Sequence, residues 1–293
     1  MRTAFALVLA LIFVTPAAAQ VTAVYDRASA TALAQPYDMA LGPDGAHLFV
    51  ADAGNNVVQV LEAESLKNVG TIGAGELNGP RDVAIDPSGR LLVADTGNDR
   101  VLVYAIFDRV AGRVVQEFPG LSAPAGVGAV GEAIVVASTG SDEVVVYRGR
   151  EEVARVGGRG DGAGEFAAPL DVTAGPRGRV FVSDPGNARV QAVDLGGIPI
   201  ERLGGDEIGF VRPTYLDFDG RGWLYVADAG DHRIRVFDAE RAEVFSIGTG
   251  EAGAGRDRFD GPNGVVARGD VVWVADTGNG RIVRYRLKGV PEG

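Results

Sequence analysis

Acidic residues recur along this chain at an interval that could place them around a ring. One position repeats six times at spacings of 43 to 48 residues, and five of its members are aspartates: Asp52, Asp95, Ser138, Asp184, Asp228 and Asp276. Grouped carboxylates can bind a divalent cation. Alternatively, an aspartate at the end of a strand can accept hydrogen bonds from the amides of the following turn and pair with an arginine five positions later. We favour the structural role, because every member opens the same short turn sequence.

A second acidic set follows a repeated proline by two residues, in a column that reads Asp38, Asp82, Gly126, Asp171, Tyr215 and Gly264. Two further residues, Asp217 and Asn263, lie close to this column in the sequence. Carboxylate and amide oxygens suit a hard cation such as calcium. The sequence thus offers Asp38, Asp82, Asp171, Asp217 and Asn263 as metal ligands, with ordinary turn and strand caps as the alternative.

Other catalytic groups are sparse. The chain has no cysteine, and no serine stands in a Gly-x-Ser-x-Gly nucleophile elbow. In the repeat alignment, His47 precedes the aspartate column by five residues and His232 follows it by four. These positions are opposite ends of a strand, about 17 Å apart at roughly 3.3 Å per residue, so the two histidines are not expected to share a zinc ion.

The elements that must position these residues are short strands. Each copy contains a proline-led apolar segment, a turn, a second apolar segment ending at the aspartate column, a Gly-Asn turn and one or two further strands. Valine occupies one column in all six copies, at Val50, Val93, Val136, Val182, Val226 and Val274. Four antiparallel strands per copy predict an all-β, six-bladed β-propeller.

The sixth copy lacks a fourth strand, because residues 287–293 show no strand pattern. The segment from Val21 to Asp26 has the composition to supply it. We therefore predict that an N-terminal strand joins blade six and closes the ring, which removes exposed strand edges. Closure also places the proline-led strand starts at the mouth of a central channel, on the same face as the Gly-Asn turns.

The N-terminus and the composition restrict location and partners. Residues 1–19 resemble a signal peptide with a cleavage site near Ala19, so residues 20–293 form the predicted mature propeller, exported to the periplasm or secreted. No later segment approaches the roughly 20 apolar residues of a membrane helix. With 28 basic and 39 acidic residues, the chain is not expected to bind nucleic acid. We expect a monomer.

The repeated turn, Asp-x-Gly-Asn-x-Arg, resembles that of the NHL repeat, and the segments 157–170 (GGRGDGAGEFAAPL) and 209–213 (GFVRP) resemble its blade-to-blade linkers. Four copies carry the arginine of this pattern, at Arg100, Arg189, Arg233 and Arg281. Val57, Ser138 and Glu143 depart from it. The invariant glycine of the turn is expected at a backbone position with positive φ.

This resemblance implies a scaffold more firmly than an activity. Family members include protein-binding and RNA-binding modules, and related six-bladed propellers include metal-dependent lactonases and histidine-using lyases. The sequence predicts a non-catalytic binding or scaffold propeller that recognises a protein, peptide or glycan through the top face, where the Gly-Asn turns lie. Candidate contact residues lie in two long linkers and are Arg159, Asp161, Glu165, Glu251, Arg256 and Asp257. The alternative is a calcium-dependent hydrolase or lactonase of the gluconolactonase-like type; otherwise no cofactor is predicted.

Overall fold

The computed structural model describes residues 21–30, 32–107 and 111–290, which form six four-stranded antiparallel sheets. The first three blades contain β2 (Pro36–Leu41), β3 (His47–Asp52), β4 (Val57–Glu62) and β5 (Asn68–Ile72); β6 (Asp82–Ile85), β7 (Leu91–Asp95), β8 (Arg100–Phe107) and β9 (Ala111–Pro119); and β10 (Pro124–Val130), β11 (Ala133–Ser138), β12 (Glu143–Arg148) and β13 (Glu151–Gly157). The last three contain β14 (Val172–Ala174), β15 (Val180–Asp184), β16 (Arg189–Val193) and β17 (Pro199–Gly204); β18 (Pro213–Phe218), β19 (Leu224–Asp228), β20 (Arg233–Phe237) and β21 (Glu243–Ile247); and β22 (Gly264–Arg268), β23 (Val271–Asp276), β24 (Arg281–Lys288) and β1 (Thr22–Ala28). The predicted all-β, six-bladed propeller is confirmed.

The predicted signal peptide, residues 1–19, lies outside the described residues, and export stays a prediction. Within the described ranges, no helix is long and apolar enough to cross a membrane.

The core lies between neighbouring blades. Six apolar clusters occupy the six blade interfaces, and the valine column at the centre of each second strand is fully buried. Side chains on both faces of these strands are apolar because each sheet packs between two others. Burial of both sheet faces explains why β7, β15, β19 and β23 are buried at every position.

The N-terminal strand closes the ring, as predicted. β1 pairs antiparallel with β24, from Thr22 opposite Lys288 to Ala28 opposite Val283. Arg284 of β24 is buried and bonds both Asp26 of β1 and Glu64 of blade one.

Two more hydrogen bonds join blade six to blade one. The hydroxyl of Thr277 donates to the carbonyl of Pro36 over 2.6 Å, and the indole of Trp273 donates to the carbonyl of Ala63 over 2.9 Å. The seam between the last blade and the first is therefore polar as well as apolar.

The two faces of the ring differ. We call the linker face the side that carries the Gly-Asn turns and the blade-to-blade linkers 32–35, 73–81, 120–123, 158–171, 205–212 and 248–263. We call the opposite side the hairpin face. Turns and linkers are hydrogen-bonded to each other, for example Gly97 N to the carbonyl of Asn78 at 2.8 Å, which confirms that they share a face.

Deletion of residues 21–26 should lower the melting temperature by more than about 10 °C. Loss of Asp26 leaves the buried Arg284 incompletely paired, which costs about 3–5 kcal/mol, and each 1 kcal/mol shifts the melting temperature of a chain of this size by about 2–4 °C. Thermal unfolding followed by circular dichroism measures this shift. Val24→Thr, on the same strand but 41% exposed, is the matched control and should change little. An unchanged melting curve after the deletion would show that β1 does not close the ring.

Candidate functional site

The repeated aspartates organise the linkers. Asp184 is fully buried, and its Oδ1 accepts a hydrogen bond from the amide of Ala167 at 2.7 Å. Its Oδ2 accepts from the side chain of Asn187 at 2.8 Å and from Arg189 Nε at 2.7 Å. Arg189 then donates to three linker carbonyls, those of Asp161, Gly162 and Glu165, at 2.6 to 2.9 Å. One aspartate therefore fixes a turn, an arginine and the linker 158–171 together.

Blade six repeats this arrangement. Asp276 accepts from the amide of Asp260, from Asn279 and from Arg281 at 2.7 to 2.8 Å. Arg281 donates to the carbonyls of Ala254, Gly255 and Arg258. In blade two, Asp95 and Arg100 reproduce the pair, and Arg100 donates to the carbonyl of Glu76. The structural role that we favoured for the aspartate column is supported. However, the backbone amide that donates a hydrogen bond to each aspartate belongs to the preceding linker and not to the following turn.

Two blades lack the arginine. In blade one, Gln59 donates to Asp52 at 3.2 Å. In blade three, Ser138 Oγ accepts from the amide of Ser122 and from Ser141, while Glu143 pairs with Arg155.

Blade five departs from the sequence expectation. Arg233 follows the family pattern, yet its guanidinium lies 3.3 Å from Asp231 rather than against the repeated aspartate. Arg235 takes that place, 3.8 Å from Asp228, and stacks over Phe210 and Phe237.

The turn requires its invariant glycine for a different reason from the one expected. None of them has a positive φ; that conformation occurs two residues later, at Asn56, Asp99, Asp142, Ala188, His232 and Gly280. The glycines instead lie against the preceding linker. A Cβ on Gly97 would come within 2.7 Å of Asn78, and one on Gly278 within 2.6 Å of the carbonyl of Asp260. The constraint is close approach of two backbones, which the expectation of positive φ had missed.

The two long linkers present exposed charges from fixed backbones. Phe166 and Phe259 are fully buried and anchor the linkers 158–171 and 248–263. All six candidate contact residues are exposed: Arg159, Asp161, Glu165, Glu251, Arg256 and Asp257. The structure places them all on the linker face, in two groups that belong to different blade junctions.

The two histidines lie on opposite faces, as expected. His47 on the hairpin face has its Nδ1 2.8 Å from Asp44. His232 on the linker face accepts a hydrogen bond from the amide of Gly261 at 3.0 Å. Neither histidine lines the central channel.

The central channel is a cavity of about 300 Å³ lined by the innermost strands of all six blades. Asp38, Asp82, Asp171 and Asp217 all line it. The first three are at most 7% exposed and surround Tyr215, whose hydroxyl crosses the channel to the carbonyl of Ala125 at 3.1 Å. They occupy a closed end beneath the linker face, rather than the open mouth that the sequence predicted.

Hydrogen bonds between blades hold three of these carboxyl groups. Asp82 accepts from the amide of Val127 at 2.6 Å, Asp171 from that of Leu216 at 2.7 Å, and Asp217 from that of Ala267 at 2.8 Å. Each bond joins an innermost strand to the next blade.

Burial raises the pKa of all four carboxyl groups. The pKa of Asp82 rises to about 6 and that of Asp217 to about 7, mainly because the charged form loses hydration. Burial also raises the pKa values of Asp38 and Asp171, and the charge of Asp82 adds to both. Asp38 and Asp82 are close enough to share a hydrogen bond.

Asn263 does not join this group. Its side-chain amide donates to the carbonyl of Gly261 at 3.2 Å and to the hydroxyl of Thr277 at 2.9 Å, and it does not line the channel. Within the described part of the chain, no three His, Cys, Asp or Glu side chains form a cluster arranged for a metal ion. Calcium binding stays a prediction.

A second cavity, which the sequence did not indicate, lies on the hairpin face between blades six and one. It measures about 740 Å³, and His47, Glu62, Glu64, Trp273, Arg284 and Arg286 line it. Its polar groups are largely committed to the ion pairs that close the ring.

Substitutions at the repeated aspartate position should lower the free energy of unfolding by different amounts, according to how deeply the partner arginine is buried. Asp184→Ala should lower the free energy of unfolding by about 3–5 kcal/mol, because it strands the buried guanidinium of Arg189. Asp95→Ala should cost about 1–3 kcal/mol, because Arg100 is partly exposed and can reach water. Ser138→Ala, which removes no charge partner, is the control and should cost about 1 kcal/mol or less. Urea unfolding measures all three, and equal costs would contradict the ranking.

Stability should rise as the pH falls from 8 to 6. A carboxyl group whose pKa is higher in the folded than in the unfolded protein binds a proton more tightly when folded, so the stabilisation is present below the unfolded pKa and is lost as the pH rises through the folded value. For Asp217, a rise to about 7 from 3.8 corresponds to roughly 4 kcal/mol. The melting temperature measured against pH tests this, and Asp217→Asn should flatten the curve near pH 7. A wild-type curve that falls as the pH is lowered from 8 to 6 would contradict the sign.

The NHL repeat family matches residues 77–104 and 259–285. No curated protein matches the sequence. Among solved structures, a protein of unknown function from Bacteroides thetaiotaomicron has a TM-score of 0.73 and 14% identity, over 89% of this chain and 71% of that chain. Streptogramin B lyase has a TM-score of 0.62 and 11% identity, over 93% and 100%.

Kuenenia stuttgartiensis hydrazine synthase is also similar, with a TM-score of 0.63 and 18% identity, over 87% of this chain and 96% of that chain. At these identities the structural likeness shows the fold alone. The six blades and the two matched repeats lead to one conclusion: the chain is a six-bladed β-propeller with NHL repeats at residues 77–104 and 259–285.

Proposed function

We propose that the protein is an exported, non-catalytic binding module that recognises a protein, peptide or glycan through its linker face. The NHL propeller fold supports a binding or scaffold role. The observation that carries the proposal is the attachment of two long linkers to buried Asp-Arg pairs, at Asp184–Arg189 and Asp276–Arg281. The linker backbones are thus ordered before any partner arrives, which reduces the entropy lost on binding.

The exposed side chains of these linkers are suited to recognition. They carry both signs of charge, at Arg159 and Asp161 on one linker and at Arg256 and Asp257 on the other. Charges at the rim of an interface select partners and speed association. None of the six candidate contact residues is needed to hold the core, since Phe166 and Phe259 perform that role.

The calcium-dependent hydrolase alternative is less compatible with the geometry of the channel. Asp82 and Asp171 are buried, and each already accepts a backbone amide hydrogen bond, from Val127 and Leu216, which leaves fewer oxygens for a calcium ion. The similarity to a lyase and to hydrazine synthase does not decide the matter, because it shows the fold alone.

A six-residue linker variant tests the proposal. It combines alanine at Arg159, Asp161, Glu165, Glu251, Arg256 and Asp257, and it keeps the buried phenylalanines, arginines and linker carbonyls. Partners are captured by cross-linking from an extract of exported proteins and glycans of the source organism and quantified by mass spectrometry. We expect the variant to recover at least about tenfold less of the partner that the wild type enriches, which corresponds to about 1.4 kcal/mol.

A hairpin-face variant with alanine at the exposed residues Glu132, Glu240 and Asp270 is the matched control and should capture normally. Both variants should melt within a few degrees of the wild type. Equal capture by the wild type and the linker variant would place recognition elsewhere and refute the proposal.

A further inference from the structure

The central channel is blind. The exposure of its lining residues falls from the hairpin face towards the linker face. Ala174 and Arg268 are exposed, and Leu41, Ile85 and Phe218 are half-buried. Asp38, Asp82 and Asp171, which we call the carboxyl layer, are buried. Tyr215, only 1% exposed, lies at the closed end. A ligand of the channel must therefore enter from the hairpin face, opposite the linkers.

The closed end is rich in acceptors. Asp38, Asp82 and Asp171 line it, and the Tyr215 hydroxyl donates a hydrogen bond to the carbonyl of Ala125, which leaves its oxygen lone pairs available as acceptors. Of the described residues that line the channel, only Arg268 is basic, and it lies at the exposed rim. Arg81, the other cation near Tyr215, stacks over Tyr37 outside the channel. Acceptors at the closed end therefore outnumber donors.

One oxygen in this layer lacks a partner. Oδ1 of Asp38 makes no hydrogen bond, and it cannot bond to bulk water either, because the atom is buried and the whole residue is only 7% exposed. Gly264 packs directly against this oxygen, because a Cβ there would come within 2.5 Å of both Oδ1 and the carbonyl of Tyr37. A buried carboxylate oxygen without a partner is costly, so a ligand that donates hydrogen bonds to it gains affinity.

The walls below the carboxyl layer are mainly apolar. Leu41, Ile85, Ala129 and Phe218 line the channel between the carboxyl groups and the rim, and Asp217 is the one acidic group among them. The cavity of about 300 Å³ is at the lower end of the range for small-molecule sites, about 300–1,000 Å³. Its shape and polarity fit a slim aliphatic chain with a charged head.

We propose that the channel binds an organic cation, a primary ammonium group on a short aliphatic chain, whose head contacts Asp38, Asp82 and Asp171. An ammonium has three N–H donors and no acceptor, which suits a channel end lined by three carboxyl groups. Its charge balances the layer, and its chain replaces water along the apolar walls. Calcium would need six to eight oxygen ligands, whereas Asp82 and Asp171 already accept backbone amides. This site is separate from the linker-face site of the proposed function.

Thermal unfolding at pH 8 with n-butylammonium chloride tests the proposal. The amine is fully charged at this pH, and it should raise the melting temperature saturably, because binding to the folded state stabilises it by RT ln(1 + [L]/Kd). Sodium chloride at equal ionic strength and the neutral 1-butanol should give no such shift. Calorimetric titration then gives the Kd directly.

Two variants locate the site. Asp38→Asn should weaken n-butylammonium binding at least about tenfold, while Asp270→Asn, exposed on the hairpin face, should leave Kd unchanged. If Asp38→Asn does not fold, Asp82→Asn serves instead, since it removes a charge that lines the same end of the channel. Calcium chloride is titrated in parallel.

The outcomes separate the possibilities. Saturable stabilisation by n-butylammonium that Asp38→Asn abolishes supports the proposal. Stabilisation by calcium alone, an equal effect of 1-butanol, no saturable effect of the amine, or unchanged affinity in Asp38→Asn each overturns it. The six-residue linker variant should bind the amine normally even if it loses its partner, so failure of one proposal is distinguishable from failure of the other.

Discussion

The structure depends on a buried carboxylate at the same position in five of its six blades, with Ser138 in its place in blade three. An aspartate such as Asp184 is stable without solvent because a linker amide, an asparagine side chain and an arginine satisfy it together. A charge taken out of water is tolerated only when such partners replace its hydration. The same hydrogen bonds shape the turn and hold the linker that joins two blades. The arrangement of neighbouring blades in the ring therefore depends on them.

The repeat made the architecture predictable. The 43- to 48-residue spacing of the repeats, the valine column and the missing fourth strand of the last copy are enough to predict six blades and the closure of the ring. The reasons behind individual residues were harder to predict. Gly97 is required by the approach of a linker 19 residues earlier in the chain, and no local pattern contains that contact. Arg233 and Arg235 lie two residues apart, and it is Arg235 that approaches Asp228, where it stacks over Phe210 and Phe237 and pairs with Glu243.

The channel is a second place where the sequence predicted which residues come together but not how their side chains are oriented. The column of Asp38, Asp82 and Asp171 predicted that these groups would meet, and they do. Whether that point is open or closed depends on the direction of one tyrosine side chain, and Tyr215 closes it. Composition cannot report that direction, because a tyrosine at the same position could equally point to solvent. The two candidate sites thus lie on opposite sides of the ring, with the buried layer between them.

The pairing of β1 with β24 also governs when the fold can form. Thr22 lies opposite Lys288, so the sixth blade joins β1 to β24 and is complete only after all the blades between them have been made. Contacts so far apart in sequence form late, since the loop between them must close first. The first five blades can assemble from neighbouring hairpins as the chain emerges, but the interface between the sixth and the first must wait. A nascent propeller of this kind is an open arc with two uncovered apolar sheet faces, and it becomes resistant to aggregation only once β24 is made and pairs with β1.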